Sequence, residues 1–160
     1  MHMLTAINGP RSGAVMSHAP EYPVTEYQPA PAIDLSDPNE RRRIGSGAVR
    51  AFLNIVQAWN VRDETARLLL GGMSNGTYYA MKRAPDRLLR QDSLTRVSYI
   101  IGIYQALHAL YGDALANRWP LMPNENAIFG GGTPIDFMVK GGMPAFQTVR
   151  CLLDSRRTGT

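Results

Sequence analysis

The sequence predicts an all-α protein in which a helix-turn-helix bundle is followed by a small C-terminal helical domain and preceded by a proline-rich, flexible N-terminal arm. Three observations support this prediction. Apolar residues recur at helical spacing along most of residues 38–112. Capping residues, prolines at first helical positions and glycines past helix ends mark where the helices begin and end. Apolar residues make up 44% of the chain, which is enough for a buried core.

Composition divides the chain into three predicted regions, residues 1–39, 40–112 and 113–160. The first region holds six of the eleven prolines and shows no helical or strand periodicity, which predicts a flexible arm. Residues 40–92 carry ten Lys or Arg residues against five acidic residues, a net charge of +5. This basic surplus is where a nucleic-acid surface would be sought, although a solvated helical surface explains it equally.

Several classes of protein are disfavoured by what the sequence contains. The one cysteine, Cys151, is expected at the edge of a helix core; it excludes a disulfide framework and favours a cytoplasmic setting. The longest apolar cluster, residues 97–111, is interrupted by polar residues, so no membrane span is expected. No metal-ligand spacing, nucleophile–base set or paired-carboxylate motif stands out, so we expect no enzyme, no metal site and no cofactor.

The first helix is predicted from residue 38 to about residue 59, with Asp37 as its N-cap and an apolar face at three- and four-residue spacing. Gly45 and Gly47 weaken its first half, so a break or a later start at that point stays open. The apolar face of this helix predicts that it packs against the rest of the bundle.

The longest helix is predicted over residues 92–112, capped by Asp92 or Ser93 and ended by Gly112. Its apolar residues cover too wide an arc for a surface helix. We therefore expect it to be buried between the neighbouring helices or in a subunit contact. His108 lies within it and is interpreted as a structural histidine.

Residues 63–83 have the outline of a helix-turn-helix, in which a glycine turn at Gly71 and Gly72 joins two short helices. Ser74 is the expected N-cap of the second helix. Asn, Thr, Lys and Arg side chains on such a helix suit contacts to base edges and phosphates in the major groove. The predicted DNA-facing residues are Ser74, Asn75, Thr77, Tyr78, Lys82 and Arg83. An ordinary pair of antiparallel helices inside a bundle is the alternative.

The C-terminal region, residues 113–160, is predicted to contain a short helix, a glycine-rich loop and a pair of helices. Thr133 caps the first helix of the pair, Gly141 and Gly142 end it, and Pro144 begins the second. The glycine run lacks the spacing and the lysine of a phosphate-binding loop. The region therefore offers a surface to a partner rather than catalytic chemistry.

Two segments together resemble a known family. The C-terminal pattern consists of a Trp and a Pro-Asn, then Phe-Gly-Gly-Gly-Thr-Pro-Ile-Asp, Lys-Gly-Gly and a final helix; it resembles the toxin-binding domain of Xre/MbcA/ParS-type antitoxins. The middle pattern, with Ala66, the Leu-Leu-Leu-Gly-Gly turn, Thr77-Tyr78 and Pro85-Asp86, is similar to the helix-turn-helix of the same family. The resemblance covers about residues 45–154.

The resemblance implies a type II antitoxin that is not an enzyme. Members of the family pair with a RES-domain toxin that consumes NAD⁺, cover its active site, and bind operator DNA as dimers within a larger complex. The toxin-facing residues are expected among polar side chains near the end of the chain, namely Lys140, Arg150, Asp154, Arg156 and Arg157. An arginine or carboxylate there suits the polar positions of a dinucleotide pocket. The family often has Trp where this chain has Met81, so its base readout is expected to differ.

One alternative function stays open at this level. A stand-alone helix-turn-helix regulator, whose C-terminal domain only dimerises or senses a ligand, has the same elements. It is distinguished from an antitoxin by tight, salt-dependent operator binding without any protein partner.

Overall fold

The computed structural model describes residues 33–159, which belong to one compact unit. Residues 1–32 of the predicted arm lie outside the described residues. The described part of the chain is all-helical and contains no strand, which confirms the predicted fold class. Its α-helices are α1 (Pro38–Ala58), α2 (Asp63–Leu69), α3 (Asn75–Arg83), α4 (Gln91–Leu110), α5 (Asp113–Arg118), α6 (Pro134–Gly141) and α7 (Met143–Thr158). Two short 3-10 helices, Trp119–Leu121 and Ala127–Phe129, lie between α5 and α6.

Helix α1 begins as the sequence predicts and runs through its weak point without a break. The Asp37 carboxylate accepts a hydrogen bond from the backbone N–H of Asn39 at 2.8 Å. Gly45 and Gly47 each cost about 1 kcal/mol relative to alanine in a helix. Burial of the apolar face of α1, which includes the fully buried Phe52, offsets that cost.

Helix α4 is the centre of the fold, and α1, α5 and α7 pack against it. Its buried residues occupy most of its circumference, as the wide apolar arc predicts. The predicted cap is wrong, because the N-cap is Arg90 and makes no side-chain capping bond. Ser93 instead turns inward, where its hydroxyl donates to the carbonyl of Leu70 at 3.1 Å. His108 ties α4 to the next helix, with Nδ1 2.9 Å from Asp113 Oδ1 and Nε2 3.1 Å from Asn117 Oδ1.

The glycine-rich loop is a compact turn, as the sequence predicts. Gly130 and Gly131 have φ angles of 56° and 81°, in the left-handed region that favours glycine. Aromatic contacts anchor the loop. The Phe129 ring lies edge-on to the rings of Trp119 and Phe137, with centroid distances of 5.9 Å and 5.4 Å. These contacts anchor the loop between α5 and α6 to the C-terminal helices.

Helices α6 and α7 form the predicted C-terminal pair. Thr133 Oγ1 accepts from the N–H of Asp136 at 3.2 Å, and Gly142, with φ of 62°, separates the two helices. Helix α7 continues to Thr158. One expectation is wrong here, because Cys151 is exposed rather than at the edge of the core.

The core is continuous across the predicted boundary between residues 112 and 113. Helix α7 packs along α4 and contributes Phe146, Val149 and Leu153, each 0% exposed. The predicted boundary therefore falls inside one shared core. Among the helices of residues 33–159, none is both long and apolar enough to cross a membrane.

Candidate nucleic-acid interface

The α2–α3 pair is a helix-turn-helix whose turn is closed by backbone hydrogen bonds. Gly71 and Gly72 have φ angles of 92° and 81°, which L-residues with side chains rarely adopt. The N–H of Gly72 donates to the carbonyl of Arg67 at 3.0 Å. Ser74 then caps α3, because its Oγ accepts from the N–H of Thr77 at 3.2 Å. The turn and the cap together set the direction in which α3 leaves α2.

The first turn of α4 supports this helix-turn-helix from behind. The Asp92–Arg96 ion pair, 2.9 Å long, lies directly against Gly71. A Cβ at Gly71 would stand 3.0 Å from the Asp92 carboxylate and 3.2 Å from Arg96 Nε. Glycine is therefore needed in the turn for close approach as well as for its positive φ.

One face of α3 is buried, and this corrects part of the predicted DNA surface. Tyr78 and Met81 are 0% and 1% exposed, so both side chains belong to the core. The expectation that the Tyr78 side chain faces DNA is wrong, because its position in the helix turns it toward α1 and α2. Its burial and the nearby Asp63 raise the pKa of Tyr78 to about 12, so its hydroxyl stays protonated at neutral pH.

The opposite face of α3 is exposed and includes a residue that the sequence reasoning missed. Asn75, Tyr79 and Arg83 stand at four-residue intervals and share one side of the helix, and all three are exposed. Ser74 and Thr77 are also exposed at its N-terminal end. Tyr79 is absent from the predicted DNA-facing residues. Its four-residue spacing from Asn75 and Arg83 is the sequence signal that would have assigned it to the exposed face of α3.

A single carboxylate joins α2 to α3. Asp63, the first residue of α2, accepts from Tyr78 Oη at 3.3 Å, from Tyr79 Oη at 3.2 Å and from Lys82 Nζ at 3.1 Å. The Lys82 ammonium also lies 5.6 Å from the centroids of both tyrosine rings. The hydrogen bond from Lys82 is the main reason why the pKa of Asp63 is lowered. We call Asp63, Tyr78, Tyr79 and Lys82 the Asp63 cluster.

Most arginines of residues 33–159 already have an acceptor, and three of the four exceptions lie at the end of α3 or in the segment that follows it. The arginines bonded to a carboxylate, carbonyl, amide, hydroxyl or sulfur are Arg41, Arg42, Arg43, Arg50, Arg67, Arg96, Arg118, Arg150, Arg156 and Arg157. Within the described residues, no acceptor is found for Arg62, Arg83, Arg87 or Arg90, and all four are exposed. Arg83 ends α3, Arg87 and Arg90 lie between α3 and α4, and Arg62 lies before α2 in a groove that Thr133 and Asp136 also line. The four cations are free to contact phosphates.

The predicted toxin-facing residues divide into two groups. Lys140, Arg156 and Arg157 are exposed, and Arg156 donates to the hydroxyl of Tyr111 at 3.1 Å. Arg150 and Asp154 are only partly exposed and bond to each other at 2.9 Å. Helix α7 turns this pair toward α4, so it is less exposed than the other three residues.

Arg150 is held where α4 lacks a side chain. A Cβ at Gly102 would lie 2.5 Å from Arg150 Nη1, so the guanidinium occupies the space above that glycine. Among the described side chains, Arg150 Nη1 is one of the buried polar atoms without a hydrogen-bond partner. The position of Arg150 is therefore explained by helix packing within this chain.

Comparison with known proteins agrees with this geometry. The sequence model of the antitoxin Xre-like helix-turn-helix domain matches residues 40–102. The uncharacterized protein y4oB of Sinorhizobium fredii (strain NBRC 101917 / NGR234) is 30% identical over 112 residues, which are 69% of this chain and 84% of that protein. The chain belongs to the Xre-like helix-turn-helix antitoxin family. In this member of the Xre-like family, the matched segment extends from α1 to the middle of α4 and contains the complete α2–α3 pair. No solved structure matches the chain.

Proposed function

We propose that the chain is the antitoxin of a type II toxin–antitoxin pair: it neutralises a RES-domain, NAD-degrading toxin by covering its active site, and it represses its own operon by binding operator DNA. The observation that carries the DNA part is the exposed polar face of α3 in an Xre-like domain, where Arg83 has no acceptor among the described residues. Phosphate contacts position such a domain, and base contacts specify its site.

The base-reading residues in this proposal are Asn75, Thr77, Tyr79 and Arg83. Asn pairs with adenine, Arg pairs with guanine, and the Thr methyl contacts the thymine methyl. Ser74 caps the helix and lies close to the backbone of the DNA. We expect two copies of the chain to bind a two-fold symmetric operator, since half-sites one helical turn apart are read by dimers.

The toxin part of the proposal is supported by the resemblance of the C-terminal pattern and by the surface that this region presents. Lys140, Arg156 and Arg157 are exposed on α6 and α7. Cations at these positions suit a pocket that normally binds the phosphates of a dinucleotide. Arg150 and Asp154 act as the internal support of this surface.

Operator binding is tested by fluorescence anisotropy with the DNA upstream of the gene and with a scrambled duplex of equal length. We expect preferential binding to the upstream DNA, with an affinity that falls steeply as salt rises. Equal, weak binding to both duplexes would remove sequence-specific repression from the proposal.

Neutralisation is tested by co-expression with the protein encoded beside the gene, which this proposal expects to be a RES-domain toxin, with growth and cellular NAD⁺ as readouts. We expect the wild-type chain to restore both, and the variant Lys140→Glu/Arg156→Glu/Arg157→Glu to fail while it still binds the operator. The control is Arg42→Glu, which makes the same kind of charge reversal on α1. Full protection by the triple variant would exclude these side chains from the interface. A harmless neighbour, with operator binding intact, would favour the stand-alone regulator.

A further inference from the structure

The Asp63 cluster places a carboxylate at the edge of the surface proposed to meet DNA. The Asp63 side chain is 42% exposed. Its Oδ2 lies 3.2 Å from the hydroxyl of Tyr79, which is on the outward face of α3. DNA is a dense array of negative charge, so a carboxylate here opposes binding unless its charge is compensated. The charge of Asp63 must therefore be compensated when DNA binds.

The Lys82 ammonium compensates the negative charge of Asp63, because the two groups form an ion pair. The ammonium lies 3.1 and 3.3 Å from the two carboxylate oxygens and is flanked by two tyrosine rings. The Lys82 side chain is nevertheless 39% exposed, so it can exchange Asp63 for a phosphate at little conformational cost. Arg83, one residue later, has no acceptor within the described residues and is free to bind phosphate without any such exchange.

We propose that Asp63 is a specificity-determining residue, which withholds Lys82 from the phosphates of arbitrary DNA and at the same time aligns Tyr79 for base contact. This inference rests on the proposed operator binding. On arbitrary DNA no base contact offsets the loss of the Asp63–Lys82 bond, so the carboxylate weakens that complex. On the operator the aligned face of α3 makes base contacts, which compensate for the carboxylate.

The test compares two isosteric charge removals on neighbouring residues of α2. Asp63→Asn releases Lys82 and leaves a single acceptor oxygen, so Tyr78 and Tyr79 no longer have one oxygen each. Glu64→Gln removes the same charge from an exposed residue that is outside the Asp63 cluster. Each variant is titrated with operator and with random-sequence DNA over a range of salt concentrations. Circular dichroism and thermal unfolding confirm that each variant is folded.

For Asp63→Asn we expect one additional phosphate contact on random-sequence DNA. The slope of log K against log salt then becomes more negative by about 0.9, which corresponds to about fivefold tighter binding at physiological salt. Operator affinity is expected to stay level, because the gain from Lys82 is offset by the loss of alignment of Tyr79. The ratio of operator to random affinity then falls about fivefold. The added variant Lys82→Met should remove the gain in the Asp63→Asn background.

Each other outcome overturns the inference. Equal effects of Asp63→Asn and Glu64→Gln would mean that only net charge matters. Equal weakening on both DNAs with an unchanged salt slope would mean that Asp63 is only structural. A wild-type chain that does not prefer its operator would refute the proposed operator binding itself. An operator-to-random affinity ratio that is the same in Asp63→Asn as in the wild type would refute the role of Asp63 alone.

Discussion

Replacement of Phe146 by alanine tests whether the helix-turn-helix and the C-terminal pair share one cooperative core. Phe146 is 0% exposed, its ring lies 6.4 Å from that of Tyr99, and the Arg96 guanidinium stands 5.8 Å from its centroid. Truncation of a buried phenylalanine costs about 3–5 kcal/mol. A domain of this size is stabilised by about 5–15 kcal/mol, so Phe146→Ala should remove a large part of the free energy of unfolding.

The two tryptophans make this prediction measurable, because they stand on opposite sides of the predicted boundary. Trp59 follows α1 and Trp119 follows α5, and they are 1% and 6% exposed. In urea, single-tryptophan versions of Phe146→Ala should unfold at the same lowered midpoint by both probes. Gln147→Ala, at the exposed neighbouring position, should change stability by less than about 0.5 kcal/mol. A Trp59 transition that stays at the wild-type midpoint would refute the shared core.

Three further predictions follow from single contacts. Arg83→Ala should make the salt slope of operator binding shallower by about 0.9 per protomer, because one phosphate contact is lost; an unchanged slope in an anisotropy series removes this arginine from the interface. Thr133→Ala should cost about 1 kcal/mol in chemical denaturation through loss of the α6 cap, and Thr133→Ser should restore it; equal stability of all three proteins would contradict a capping role. The Lys82 hydrogen bond lowers the pKa of the Asp63 carboxyl below its ordinary 3.8. The Asp63–Lys82 bond therefore contributes its full stability above pH 3.8, and this stability is lost as the pH falls through the lowered pKa. The difference in unfolding free energy between wild type and Asp63→Asn should therefore vanish in acid, and a difference that persists there would contradict this origin.

Helix boundaries in this chain are largely local properties, and for that reason the sequence was sufficient to predict them. A hydroxyl before a proline at Thr133, a carboxylate before a proline at Asp37, and positive-φ glycines such as Gly71 and Gly142 act within one turn of the backbone. The exception is the start of α4. Ser93 has the chemistry of a cap, but a tertiary hydrogen bond to the carbonyl of Leu70 recruits its hydroxyl instead.

The position of the candidate site in the chain could be predicted from the sequence, but the orientation of its side chains could not. The position of the helix-turn-helix and the residues of α3 are contained in the sequence, as are the glycines of its turn. Which side of α3 faces outward depends on the direction from which α1 and α2 cover it, so Tyr78 is buried and Tyr79 is exposed. Neighbouring residues of one helix are about 100° apart, and propensity alone does not choose between them.

Charge pairing was decided only by the tertiary structure. Lys82 and Arg83 are equivalent as sequence, yet Lys82 meets Asp63 from nineteen residues earlier while Arg83 meets no acceptor within the described residues. Arg150 and Asp154 likewise pair over a glycine of another helix. The sequence by itself determined the helices, most of their ends and the location of the helix-turn-helix, since these depend on contacts within a turn. The tertiary structure decided which faces are exposed and which charges remain free, because those depend on the arrangement of helices distant in the chain.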